Sequence, residues 1–126
     1  MKCTPVIIID DDAGSINKLR DDLSKYPDIV VLETFQSPLK ARNVILLMQP
    51  DILFLDTEMP EMTGIDFFRS IHTELRQNTK VVFYTAYDKY LLEALRASAF
   101  DYLLKPYLPE ELAEVKKKIL SYLQKI

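Results

Sequence analysis

Val6-Ile7-Ile8-Ile9-Asp10-Asp11-Asp12 sets an unbroken apolar run directly against three carboxylates. A strand buried on both faces of a parallel sheet reads as such a run, and the abrupt polar end marks its carboxyl edge. Three further stretches repeat the arrangement: residues 52–55 lead to Asp56, 81–84 to Thr85, and 102–104 to Lys105. In open α/β sheets, ligands bind along the rim where the strands end. Four separate segments thus deliver carboxylates, a hydroxyl and an ammonium to one rim, a regularity that folding alone does not demand.

Outward from these runs, strand candidates span 5–9, 29–34, 52–55, 80–84 and 101–104. Helical periods fill the gaps. Ile16, Leu19 and Leu23 share one face behind Asp12, a side chain suited to cap a helix start. Residues 38–48 predict a second helix with Ala41, Val44, Ile45 and Met48 inward, stopped by Pro50. A third starts at Gly64 or Ile65 with Phe68, Ile71 and Leu75 in register, and a fourth covers 89–98. The last opens on Pro109, Glu110 and Glu111, which suit a helix start, and carries Leu112, Val115, Ile119, Tyr122 and Ile126 on one stripe. Lys116, Lys117 and Lys118 then read as a solvated helix face rather than a nucleic-acid site. Five strands alternating with five helices predict right-handed crossovers and a doubly wound parallel sheet covered on both faces.

The 126 residues suit one domain, 1–126. With 48% hydrophobic and 28% charged residues, the chain falls among globular proteins. A net charge of −3 gives no general attraction to nucleic acid or anionic membranes. No run is long enough to span a bilayer, and Met1-Lys2-Cys3 lacks a signal peptide's apolar stretch, so a cytoplasmic location is expected. Cys3 has no cysteine partner for a disulfide and nothing local to activate it. One Cys and one His make no zinc cluster, and two glycines, Gly14 and Gly64, write neither a P-loop nor a dinucleotide fingerprint. His72 reads as a surface residue.

In a doubly wound sheet the first and third strands are neighbours where the winding reverses, so Asp10, Asp11 and Asp56 meet. Packed together they repel unless a cation joins them. Oxygen-only ligands select a hard ion, Mg²⁺ foremost. Mg²⁺ with Lys105 would balance the three carboxylates, an arrangement suited to phosphoryl transfer with a carboxylate as acceptor. Asp56 stands alone at its strand end and is the best nucleophile. Thr85 offers a hydroxyl and Lys105 a charge. Taken singly, each residue has a plain structural reading, such as a solvated loop or a helix cap.

These motifs resemble the receiver domain of two-component response regulators, over almost the whole length. The resemblance rests on residues 6–12, on Asp51-Ile-Leu-Phe-Leu-Asp-Thr-Glu-Met-Pro-Glu-Met-Thr-Gly64, and on Phe100-Asp-Tyr-Leu-Leu-Lys-Pro106. It implies a CheY-like, flavodoxin-like (βα)5 fold with strand order 2-1-3-4-5. It also implies that Asp56 accepts phosphate from a sensor histidine kinase and that the domain is no enzyme beyond assisting its own phosphorylation and dephosphorylation. Mg²⁺ would be held by Asp11 directly, Asp10 through water, Asp56, and the backbone carbonyl of Glu58. Thr85 and Lys105 would engage the phosphoryl group, the Lys105-Pro106 peptide would be cis, and Tyr102 would follow Thr85 in switching. The stretches around Thr85 and Lys105 are similar to receivers joined to LytTR-type DNA-binding modules. Homodimerisation on phosphorylation through the fourth helix, fifth strand and fifth helix follows from the same resemblance, with DNA reached only through an effector outside this chain. Tyr87, Tyr90, Tyr102 and Tyr107 gather at that end, some for an interface and at least two for packing.

Two features depart from the family pattern: Ser98 stands where Gly is common, and Leu108 replaces a polar cap before Pro109. Three other readings stay open. A haloacid-dehalogenase-like phosphatase would use Asp10 and Asp12 as Asp-x-Asp, although Gly14 and Pro106-Tyr107-Leu108 do not suit that family. A pseudo-receiver would keep the fold and take no phosphate. A stand-alone receiver would act by protein–protein contact, although a boundary inside a longer regulator is the expectation.

Overall fold

The apolar runs at 6–9, 52–55 and 81–84 pair side by side and bury both faces. Residues 29–35 and 101–104 lie at the sheet edges and leave Val30, Leu32 and Leu104 exposed. The structure, a computed structural model, describes residues 3–76, 79–86 and 100–123. β1 (Thr4–Ile9), β2 (Ile29–Phe35), β3 (Ile52–Leu55), β4 (Lys80–Thr85) and β5 (Asp101–Leu104) form one sheet in the order β2-β1-β3-β4-β5, every pair parallel. The described helices are α1 (Ala13–Leu23), α2 (Pro38–Met48), α3 (Gly64–Ile71) and α4 (Pro109–Leu123). The helix expected at 89–98 lies outside the described residues, as do Tyr87, Tyr90, Ser98 and Ile126. Among the described residues, no helix is long and apolar enough to cross a membrane.

Successive β1 side chains feed two cores. Val6 and Ile8 pack with Ile16 and Leu19 of α1 and Leu112 and Ile119 of α4. Ile7 and Ile9 pack with Ala41 and Ile45 of α2 and Phe68 and Ile71 of α3. Each fully buried aliphatic side chain contributes roughly 1.5–3 kcal/mol, which pins β1 and β3 at the centre of the sheet. Polar caps then place the helix starts. Asp12, Ser37 and Thr63 accept the amides of Ser15, Lys40 and Asp66. The capped starts of α1 and α3 close the rim loops next to Asp10 and Asp56.

Several side chains sit differently from expectation. Met48, the last residue of α2, is exposed, and Leu46 instead packs on the α2–α3 core. Gln49 takes the left-handed conformation at φ 47° without being glycine. Its side chain offsets that strain by donating to Leu46 and Glu74 carbonyls and accepting from the Arg76 amide. That stitch belongs to the exit of α3, which passes into a 3₁₀ turn (His72–Glu74) and leaves Leu75 beyond the helix, extended and partly buried. His72 is exposed, as expected.

Tyr122 is 40% exposed, its ring against Phe100 and under the Lys80 ammonium. The lysine run is not uniformly solvated. Lys116 lies over the Tyr26 ring and 3.2 Å from Asp28, and Lys118 pairs with Asp101. At the start of α4, Glu111 accepts the Leu108 amide at 2.8 Å, supplying one arm of a capping box that Leu108 cannot supply itself. Tyr107 is buried and Tyr102 half-buried, so both pack.

Behind β3 the chain turns tightly on Gly64. Its amide donates to the Thr57 carbonyl at 2.9 Å, and a Cβ there would stand 1.9 Å from the Asp56 carbonyl oxygen. No side chain fits without moving the backbone that carries Asp56. Gly64→Ala is therefore expected to cost at least about 1–3 kcal/mol in urea unfolding, and wild-type stability would contradict this close approach.

Candidate functional site

The three consecutive aspartates have three different fates. Asp10 is wholly buried at the end of β1, Asp11 is exposed, and Asp12 turns away to cap α1 through the Ser15 amide and hydroxyl. An Asp-x-Asp site would need Asp12, whose carboxylate is committed to the helix. Asp56, 5% exposed, follows β3, and its amide donates to Ile9 at 2.9 Å, which ties the ends of β1 and β3 together. Oxygen atoms of Asp10, Asp11 and Asp56 all lie within 4.8 Å of one another. They face an open cleft of about 420 Å³ whose walls include Glu58, Met59, Ala86 and Lys105.

Lys105 leaves β5 and reaches back over this cluster. Its ammonium bonds to Asp10 Oδ2 and stands 3.9 Å from Asp56 Oδ1. The Tyr84 ring supports it from below, 4.4 Å from Nζ, and the Lys105-Pro106 peptide is cis, as the resemblance implied. Asp10 Oδ1 accepts the Asp12 amide, so both Asp10 oxygens have protein partners. Asp56 Oδ1 accepts a long bond from the Glu58 amide at 3.4 Å.

Thr85 ends β4 fully buried, and its hydroxyl meets that of Thr57 at 2.6 Å. Tyr102, paired with Phe83 across the β4–β5 ladder, is half-buried against the α2–α3 core. The structure therefore brings Asp10, Asp11, Asp56 and Lys105 together at one rim, with Thr85 just behind it. Sequence reasoning passed over Thr57 and Tyr84. Thr57 carried the faint signal of a polar residue directly after the strand-end aspartate, and Tyr84 read only as strand core.

Electrostatics decide what the cluster lacks. One ammonium against three carboxylates leaves a formal excess of two negative charges. Burial, then the neighbouring Asp10 carboxylate, pushes Asp56 up to about 8. Burial likewise raises Asp10 despite its bond to Lys105. A hard divalent cation fits these oxygen donors and would remove the penalty, and no Cys or His offers a softer site there.

Comparison with known proteins gives the class. The chain belongs to the response regulator receiver domain family, whose family model matches residues 6–117. It is 37% identical over 113 residues to an uncharacterized response regulatory protein of Vibrio vulnificus, covering 90% of this chain and 46% of that protein. It is 33% identical over 113 residues to the sensory transduction protein LytT of Enterococcus faecalis, covering 90% of this chain and 46% of that protein. For the transcriptional regulatory protein BtsR of Escherichia coli K12 the figures are 35% over 101 residues, 80% and 41%. The chain thus spans less than half the length of these curated relatives. In three dimensions it is similar to the receiver domain of AraT from Geobacillus stearothermophilus, with TM-score 0.86 and 30% identity, covering 97% of this chain and 96% of that one.

The raised Asp56 fixes a pH dependence. Folded, metal-free protein keeps a proton that the unfolded chain, with a carboxyl near 3.8, has released. That contribution is complete below the unfolded value and is lost as pH rises towards about 8. In chelator, the melting temperature should therefore fall between about pH 6 and 8, less steeply in Asp56→Asn, and Mg²⁺ should restore it most at the upper end. Equal slopes in both proteins would contradict the buried-charge account.

Proposed function

We propose that this chain is the phosphoacceptor half of a response regulator and that Asp56 takes a phosphoryl group from a phosphohistidine of a sensor kinase. The observation that carries this is a carboxylate held at a strand end against two others and one ammonium, yet open to a cleft. An Asp56 oxygen attacks phosphorus, a P–O bond forms as the P–N bond breaks, and the imidazole leaves. Lys105, balanced between Asp10 and Asp56, draws the phosphoryl oxygens while the Tyr84 ring faces its ammonium. Asp11 is exposed and has room to meet a metal directly. Asp10, with both oxygens engaged, suits contact through water, and Asp56 and the Glu58 carbonyl complete the set. Bound there, Mg²⁺ would supply positive charge to the phosphoryl oxygens during transfer.

The acyl phosphate adds charge and acceptors at Asp56. Thr85 donates to it, and Tyr102 follows into the space released, repacking the face formed by β5 and α4. Homodimerisation through that face passes the signal on. LytT and BtsR are named as sensory transduction and transcriptional regulatory proteins, which supports a LytTR-type DNA-binding effector and control of transcription. On this reading the chain works in the cytoplasm and touches DNA only through that effector.

Incubation with Mg²⁺ and a small phosphodonor should add about 80 Da, one phosphoryl group, and Asp56→Asn should abolish the adduct while remaining folded. An adduct that persists in Asp56→Asn would overturn the assignment.

A further inference from the structure

Thr57 and Thr85 come from different strand ends, are both wholly buried, and join hydroxyl to hydroxyl at 2.6 Å. Neither side chain reaches solvent, so breaking the pair leaves the buried Thr57 hydroxyl to find another partner. Thr85 forms no part of the wall of the cleft beside Asp56, whereas its neighbour Ala86 does. The hydroxyl assigned to the phosphoryl group is thus held behind the rim by Thr57.

The backbones of both residues are pinned. The Thr57 carbonyl accepts from Gly64, the Asp56 amide is tied to Ile9, and the Thr85 carbonyl accepts from the Lys105 amide at 2.7 Å. What remains free to change is side-chain rotation. A β-branched threonine has few discrete χ1 wells, so such a change is a step rather than a drift.

We infer that Thr57 is a positioning residue that latches Thr85 in the unphosphorylated state: its hydroxyl donates to Thr85 Oγ1, and Thr85 must turn out of that bond to donate to a phosphoryl group on Asp56. This rests on Asp56 being the phosphoacceptor. The latch sets the threshold of the switch: a stronger hold on Thr85 means a larger share of the phosphoryl group's interaction energy spent in releasing it.

The test is titration of the Mg²⁺-loaded protein with beryllofluoride, a phosphoryl mimic, followed by ¹⁹F NMR. Thr57→Val keeps the shape and removes the hydroxyl, and its half-saturation should fall roughly 2- to 12-fold, the equivalent of one net hydrogen bond of about 0.5–1.5 kcal/mol. Thr57→Ser keeps the hydroxyl and should match wild type. In a Thr85→Val background, Thr57→Val should have no effect on half-saturation, a dependence that a merely structural role would not show. Unchanged or weakened binding in Thr57→Val, or an equal gain without the Thr85 hydroxyl, would overturn the latch while leaving Asp56 as acceptor. Failure of wild type itself to bind beryllofluoride would overturn the phosphoacceptor reading, and the latch with it.

Discussion

Buried negative charge at the joined ends of β1 and β3 is the constraint on which the site depends. Parallel pairing brings Ile9 opposite Leu55, and the next residue on each strand is an aspartate. The apolar layers that hold these strands also strip water from Asp10 and Asp56. One ammonium, from Lys105, answers part of the charge, and the remainder is what a divalent cation would meet. Folding and chemistry therefore pull in opposite directions at this rim, and the protein keeps the conflict unresolved until a ligand arrives.

Much of the surrounding structure serves to hold that conflict in place. Gly64 lets the loop after Asp56 close against its carbonyl, where any side chain would collide. Asp12 is diverted into capping α1, which keeps it from adding a further buried charge. Tyr84 supplies an aromatic face beneath the Lys105 ammonium and so limits where it can stand. Thr57 ties down Thr85 immediately behind the carboxylates. Each is a short local contact, and together they fix a reactive group while leaving the cleft open.

The architecture was legible because buried parallel strands write themselves as continuous apolar runs. All five strand candidates form strands, and their order is the one the family resemblance implied. Asp10, Asp11, Asp56 and Lys105 were legible for the same reason, as polar residues at the ends of those runs. What stayed hidden depends on side-chain direction. Asp12 was legible as the cap of α1, but nothing in the residue order tells that Asp10 faces the core while Asp11 faces solvent, or that Thr57 reaches Thr85. One helix face was misread at its end: Met48, next to the left-handed turn at Gln49, is exposed, whereas Leu75 packs with Phe68 and Ile71 as expected but from beyond the 3₁₀ exit of α3.

Burial and the Asp10 carboxylate raise the Asp56 carboxyl to about 8, so a cation arriving beside it should displace a proton. Calorimetric titration of metal-free protein with Mg²⁺ at about pH 7, repeated in buffers of different ionisation enthalpy, reads this directly. A single site that releases up to about one proton per ion bound, and fewer as pH rises above about 8, is the predicted result. Binding without proton release, or no binding, would contradict it.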